Sequence, residues 1–216
     1  MKQKSFPSEL ENISGKMISV IEYARSQILA SGFRNLSVEK IAADLHISKK
    51  TIYKRFPTKD KFIEFILLYH YDKIFATVRA IQPDDKQPLN AVVLVVRAVY
   101  KHFCVMNPQT IYDVKIHYPQ VWKKIEAFRE EIVTTLFGSF KKAQQLGFVR
   151  NDIDVRFAIA LILKSVESVF QPEFFLNSSY SIADTIGLYI DLTMNGILNK
   201  NTNFDIDRLV KNETNS

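Results

Sequence analysis

The sequence predicts an all-α protein of about nine helices: an N-terminal three-helix unit containing a helix-turn-helix, then a larger helical domain. Three observations carry this. Apolar residues recur at helical spacing from end to end. No stretch alternates apolar and polar residues long enough to make a strand. Ser, Thr, Pro and Gly fall where the periodic segments begin and stop.

Ile13, Met17, Val20, Ala24 and Ile28 follow 4, 3, 4, 4 spacing, so one apolar stripe defines a first helix. Gly32 ends it, and Phe33 is placed to pack back on it. Ser37 caps a short second helix whose Val38, Ile41, Ala42 and Leu45 share one face. His46 follows in the turn, and His is among the non-Gly residues that tolerate left-handed backbone. Ile47 packs in that turn, and Ser48 caps a third helix that buries Ile52 and Phe56, four residues apart. The solvent side of this helix is Lys49, Lys50, Thr51, Tyr53, Lys54 and Arg55, with no carboxylate. Two caps eleven residues apart around a tight turn have the dimensions of a helix-turn-helix. A solvated surface helix normally carries both signs of charge, so a basic, hydroxyl-rich one points to nucleic acid.

Thr58 caps a long helix to about Ile81, with Phe62, Ile66, Tyr69, Lys73 and Val78 spread along it. Asp60 near its start and Arg79 near its end suit the helix dipole. Residues 82–88, QPDDKQP, form a polar loop too short for a flexible tether. A helix follows from about Leu89 to Val105, interrupted by Asn107-Pro108, and a short segment runs through His117. Pro119 opens a long helix that ends at Leu146-Gly147. Asp154 opens another, to Phe170; Gln171 to Tyr180 reads as a loop; Ser181 caps the last, to about Leu198. The tail from Asn199 is polar and Asn-rich and is expected to fray. The domain boundary falls at residue 57, giving a DNA-binding unit over 1–57 and a second domain over 58–216.

The charge supports the same division. Through Lys61 there are twelve Lys plus Arg against six Asp plus Glu, and beyond it seventeen of each. The whole excess of +6 therefore sits with the helix-turn-helix, where it attracts a phosphate backbone by releasing counterions. The rival partner, an anionic membrane surface, calls for a basic amphipathic helix with aromatic anchors and no fixed turn. The first ten residues, MKQKSFPSEL, hold no apolar run of the kind a secretory signal needs. The apolar run 91–96 is cut by Arg97 well short of a membrane span. The single Cys104 excludes an internal disulfide and suits a reducing cytoplasm. A cytoplasmic protein without a membrane partner is expected.

Enzyme readings find little support. G-x-S-x-G, P-loop and dinucleotide patterns are absent from around the six glycines, and the four histidines are isolated from one another. His102 and Cys104 are two apart on a helix, so they point to different sides and make a poor metal pair. Glu126, Glu130 and Glu131 lie beside Lys123, Lys124 and Arg129 and read as a solvated, paired face. No catalytic site, cofactor or metal is expected.

The stretch from Ser37 to Ile63 resembles the tetracycline-repressor (TetR) family of bacterial regulators. The family pattern is an Ile-Ala pair, a Leu-Gly-Val-Ser turn, Lys-Gly-Thr-Leu-Tyr-x-His-Phe, a short linker and Ser-Lys-Glu. Here it stands as Ile41-Ala42, Leu45-His46-Ile47-Ser48, Lys49-Lys50-Thr51-Ile52-Tyr53-Lys54-Arg55-Phe56 and Thr58-Lys59-Asp60. The departures are His46 and Lys50 for glycines, Arg55 for His, and Pro57 in the linker. Lys50 and Arg55 add charge toward DNA and leave the operator sequence open.

The resemblance implies a homodimeric repressor, released from a palindromic double-stranded DNA operator by a small-molecule effector. Ser37 and Lys59 sit at helix starts suited to phosphates, and Tyr53 would give its hydroxyl to another. Lys49, Lys50, Thr51 and Lys54 are candidates for base edges, and Arg55 for either role. Dimerisation is implied through the two final long helices, with Leu161, Ser165, Gly187, Leu188, Leu192 and Gly196 as interface candidates. Those helices are apolar on more than one face, which simple burial within one domain would also explain. An effector cavity is implied in the middle helices, where aromatic and polar residues interrupt apolar runs. Its candidates are Arg97, Tyr100, His102, Tyr112, His117, Trp122 and Glu167, each of which core packing or solvent exposure also accounts for. The competing function is a protein-interaction module on the same scaffold without operator specificity.

Overall fold

A computed structural model describes residues 13–82, 84–103, 106–202 and 204, apart from the side chains of His102 and Phe103. Cys104, Val105 and the tail from Asp205 lie outside the described residues. Within them run ten α-helices: α1 (Gly15–Ser31), α2 (Val38–Asp44), α3 (Lys49–Arg55), α4 (Lys59–Arg79), α5 (Leu89–Phe103), α6 (Pro108–His117), α7 (Pro119–Gln145), α8 (Val155–Val169), α9 (Pro172–Leu176) and α10 (Ile182–Ile197).

Local chemistry sets the ends of these helices. Gly32 takes φ +76° after α1, and its N–H donates to the Ile28 carbonyl at 2.9 Å. A Cβ there would stand 3.2 Å from Thr110 Oγ1, so glycine also permits the close approach of α6. Ser37 Oγ accepts the Lys40 N–H at 3.2 Å, and Ser48 Oγ accepts the Lys50 N–H at 3.1 Å, capping α2 and α3. Between them His46 adopts φ +50°, the left-handed turn expected of it. Thr58 Oγ1 caps α4 through the Lys61 N–H.

The helix α4 organises the packing. Eleven of its side chains are buried, among them Phe62, Ile66, Tyr71, Ile74 and Phe75. Near its start Phe56 packs on Phe62 and Phe65, with centroids 5.0 and 4.9 Å apart. Near its end Phe75 stacks on Phe128 of α7 at 3.7 Å. One connected apolar core consequently runs from Met17 of α1 to Leu198 beyond α10.

Two sequence expectations are corrected. Gln171 to Tyr180 is not wholly a loop, because Pro172–Leu176 makes the short helix α9, which adds one to the nine expected. Pro172 fits its first turn without an N–H to satisfy, and buried Phe175 anchors it. Glu131 does not pair with its neighbours; it receives a two-pronged bond from Arg79 of α4, at 2.6 and 2.5 Å.

A polar cluster ties α1 to α4. Tyr69 donates to Glu22 Oε1 at 2.6 Å, Lys73 donates to the same oxygen, and Arg25 donates to Oε2 at 2.8 Å. Partial burial alone would raise the Glu22 pKa, but the three donors together outweigh it and hold the carboxyl at about 2. A folded pKa below the unfolded one contributes stability that is complete above the ordinary carboxylate range and lost as pH falls toward 2. Glu22→Gln should therefore flatten the acid limb. Thermal melts from about pH 5 to about pH 2.5 are expected to show a steeper fall in Tm for wild type than for the variant. Parallel curves would contradict this account of the cluster.

Candidate nucleic-acid interface and buried cavity

The amphipathic division of α3 is complete. Ile52 is fully buried and Phe56 nearly so, while Lys49, Lys50, Thr51, Tyr53, Lys54 and Arg55 are exposed. The helix carries no carboxylate of its own, but Lys49 Nζ reaches Glu39 of α2 at 3.1 Å. Ser37 is half-buried, and its hydroxyl is engaged as the α2 cap and with Glu39. Lys59 is exposed on the first turn of α4, behind the Thr58 cap. Tyr23 donates to Asp44 at 2.5 Å, pinning α2 to α1, so the basic helix stands on a braced platform.

A cavity of about 190 Å³ lies among α5, α7, α8 and α10. Val92 and Val99 of α5, Ile125 and Leu136 of α7, Ile162 of α8 and Met194 of α10 are typical of its wall. Among the described residues, only Arg129, Tyr189 and Thr193 bring polar side chains to it. The Tyr189 hydroxyl is engaged, 2.8 Å from Ser165 Oγ and donating to the Ile162 carbonyl at 3.0 Å. Arg129 differs: its Nη1 is buried without a hydrogen-bond partner, and its guanidinium lies 5.1 Å over the Trp122 ring. Burial pushes the Arg129 pKa down, the expected sign for a cation removed from water. A second void of about 210 Å³ adjoins, sharing Val95, Phe128, Ile132 and Leu136, with the Arg79–Glu131 pair in its wall.

None of the cavity candidates whose side chains are described lines either void. Arg97 and Tyr100 are half-buried on α5, and Tyr112 is half-buried on α6. His117 is exposed, 3.4 Å from Arg34 and edge-on to Phe33. Glu167 pairs with Lys164 at 2.8 Å. Trp122 is buried one layer behind the wall, where its indole N–H donates to Glu126 at 2.8 Å. The side chain of His102 lies outside the described residues. What the sequence reading passed over is Arg129 itself. Its signal was a cation inside the stripe Trp122, Ile125, Arg129, Ile132, Leu136, at 3, 4, 3, 4 spacing.

The last two long helices expose a second apolar face. Phe157 is 68% exposed, Leu161 59%, Leu188 50% and Leu192 74%. Gly187 and Gly196 open onto empty space, with nothing within 4 Å of an added Cβ. Ser165 instead bonds inward to Tyr189, linking α8 to α10. Among the described residues, no helix is long and apolar enough to cross a membrane, and no three His, Cys, Asp or Glu cluster for a metal.

Residues 20–65 match the family of bacterial regulatory proteins of tetR type. An HTH-type transcriptional regulator of Bacillus subtilis, YvaF, is 23% identical over 186 residues, covering 79% of this chain and 94% of its own. The fatty acid metabolism regulator protein of the same organism is 20% identical over 191 residues, covering 86% and 97%. The ketosteroid transcriptional regulator of Mycobacterium tuberculosis has a similar fold at 17% identity, with a TM-score of 0.53 over 88% of this chain and 98% of that one.

The cap on α3 should be measurable, because a seven-residue helix depends on its ends. Ser48→Ala is expected to destabilise the protein by about 1 kcal/mol in denaturant titration, with m unchanged. A change below about 0.3 kcal/mol would mean the cap is dispensable.

Proposed function

The chain is a TetR-family bacterial transcriptional regulator, and from that premise we propose that it is a cytoplasmic, homodimeric repressor released from a palindromic operator by a small molecule. The observation that carries this reading is the exposed basic face of α3, which has no carboxylate of its own, held on a braced three-helix unit within the first 61 residues, where the charge excess sits. In this reading Lys50, Thr51 and Lys54 meet base edges in the major groove, with Lys49 and Arg55 beside them. Tyr53 and Lys59 hold phosphates, Lys59 at the N-terminus of a long helix. Ser37 shapes the approach as the α2 cap.

The exposed face of α8 and α10 is the surface we assign to dimerisation, which would set two copies of α3 one DNA turn apart. The cavity is the proposed effector site. The helix α4 joins them, because it contributes to the platform under α3 at one end and to the void walls through Val78 and Arg79 at the other. An effector acts only through its differential affinity for the bound and released arrangements, so operator must weaken effector binding by the same factor.

Two substitutions test the DNA assignments. Lys59→Ala is expected to weaken binding on all sequences alike, since a phosphate contact carries no base information. Lys50→Ala should relax preference at one position of each half-site by about 1–3 kcal/mol. Affinity measured on an operator and its point variants checks both, and equal loss on random DNA for Lys50→Ala would favour an interaction module without operator specificity. The dimer surface has its own test. Leu192 is 74% exposed in the protomer whereas Ile186 is buried, so Leu192→Glu spares the core. Sedimentation is expected to show a folded monomer with much weaker operator binding. A Leu192→Glu dimer would place the interface elsewhere.

A further inference from the structure

We propose that the cavity takes an amphipathic monoanion, a medium-chain aliphatic or alicyclic carboxylic acid, whose carboxylate pairs with Arg129 while its apolar body fills the space among α5, α8 and α10. This rests on the reading of the cavity as the effector site. The wall chemistry selects the class. Among the described residues the lining is apolar apart from Arg129, Tyr189 and Thr193, and the Tyr189 hydroxyl already has its partners.

Arg129 is the cation left over. Nη1 is buried and no protein group accepts its hydrogen bond, a costly state for a guanidinium unless an anion completes it. The neighbouring charges are engaged. Lys115, on Trp122 with Arg129, is held by Glu173 at 2.6 Å, and Arg79 by Glu131. Glu126 bonds the Trp122 indole and acts on Arg129 only through space. A carboxylate matches the guanidinium fork with two parallel bonds. A neutral lipid would leave the orphan donor unpaired, a cation would add like charge, and a polyanion would bring more charge than one arginine offers. Size sets the length: about 190 Å³ exceeds the ~150 Å³ of an engineered cavity that admits benzene. The adjoining void of about 210 Å³ gives the chain room to extend toward α4.

The test uses the full-length protein without DNA, so that it stands or falls apart from operator binding and release. Calorimetric titration compares decanoate, 1-decanol and decyltrimethylammonium. Decanoate is expected to bind about tenfold or more tightly than 1-decanol, and the cation not at all. Arg129→Gln should reduce decanoate affinity to that of 1-decanol and leave 1-decanol unchanged, while Arg129→Lys retains part of the preference. Ligand-free Arg129→Met should melt at or above the wild-type temperature, because it removes an unpaired buried charge. A guanidinium serving only structure would give a lower Tm. Equal binding of decanoate and 1-decanol, failure of decanoate to bind, or unchanged decanoate affinity in Arg129→Gln would each overturn the proposal.

Discussion

The burial of α4 along its length is the constraint on which the rest of the structure depends. A surface helix has one apolar stripe, but Phe62, Phe65, Ile66, Leu67, Tyr69, Tyr71, Ile74 and Phe75 clothe this one on several sides. Its first turns close the core under the basic helix through Phe56, and its last turns close the core beneath the cavity through Phe128. Close-packed interiors transmit displacement instead of absorbing it, so neither end has a private equilibrium. A repacking of α7 against Phe75 acts on the same rigid rod that carries Phe62.

A second seam runs alongside. Asp113 of α6 is buried, and Arg34, in the turn after α1, grips both its oxygens at 2.7 Å. Gln109 adds a third bond at 3.0 Å. Phe33 stands edge-on to Tyr118 at 5.2 Å, and Gly32 lets Thr110 approach. Apolar packing along α4 supplies most of the cohesion, while this directional pair fixes how the N-terminal unit is turned. Loss of Arg34 would leave a buried carboxylate held by Gln109 alone, a far larger penalty than for an exposed pair such as Lys49–Glu39.

How much of this the sequence revealed follows from how local each feature is. Ser37, Ser48, Thr58, Asp154 and Ser181 all accept the backbone N–H that their positions predict, because a cap concerns only three or four residues. The basic face of α3 was legible for the same reason, as was the presence of more than one apolar face on α8, while the structure alone shows that Phe157 and Leu161 are exposed and Ile162 and Val166 face inward. Five residues of α9 are too few to show a period, so that helix read as loop. The cavity wall was hidden for a deeper reason, since it exists only where four helices meet. Arg129 looked satisfied by Glu126, Glu130 and Glu131 nearby in sequence, yet the fold gives Glu131 to Arg79 and Glu126 to Trp122. The aromatic residues chosen for the site, Tyr100, Tyr112 and Trp122, lie outside its wall, and the aromatics that line it are Phe128, Phe140, Phe170, Phe175 and Tyr189, among many aliphatic side chains.

The central claim, that α4 makes the basic platform and the cavity domain one cooperative body, is tested most directly by native-state amide hydrogen exchange on the full-length protein. The amides of Val20 and Ile21 in α1, Ile66 and Tyr71 in α4, and Ile125 and Phe128 in α7 report on the three parts of the shared core. The account predicts that all six exchange through the same global opening, with equal free energies and equal dependence on denaturant. Exchange of the α1 amides through a separate opening of lower free energy, while α7 stays protected, would contradict it.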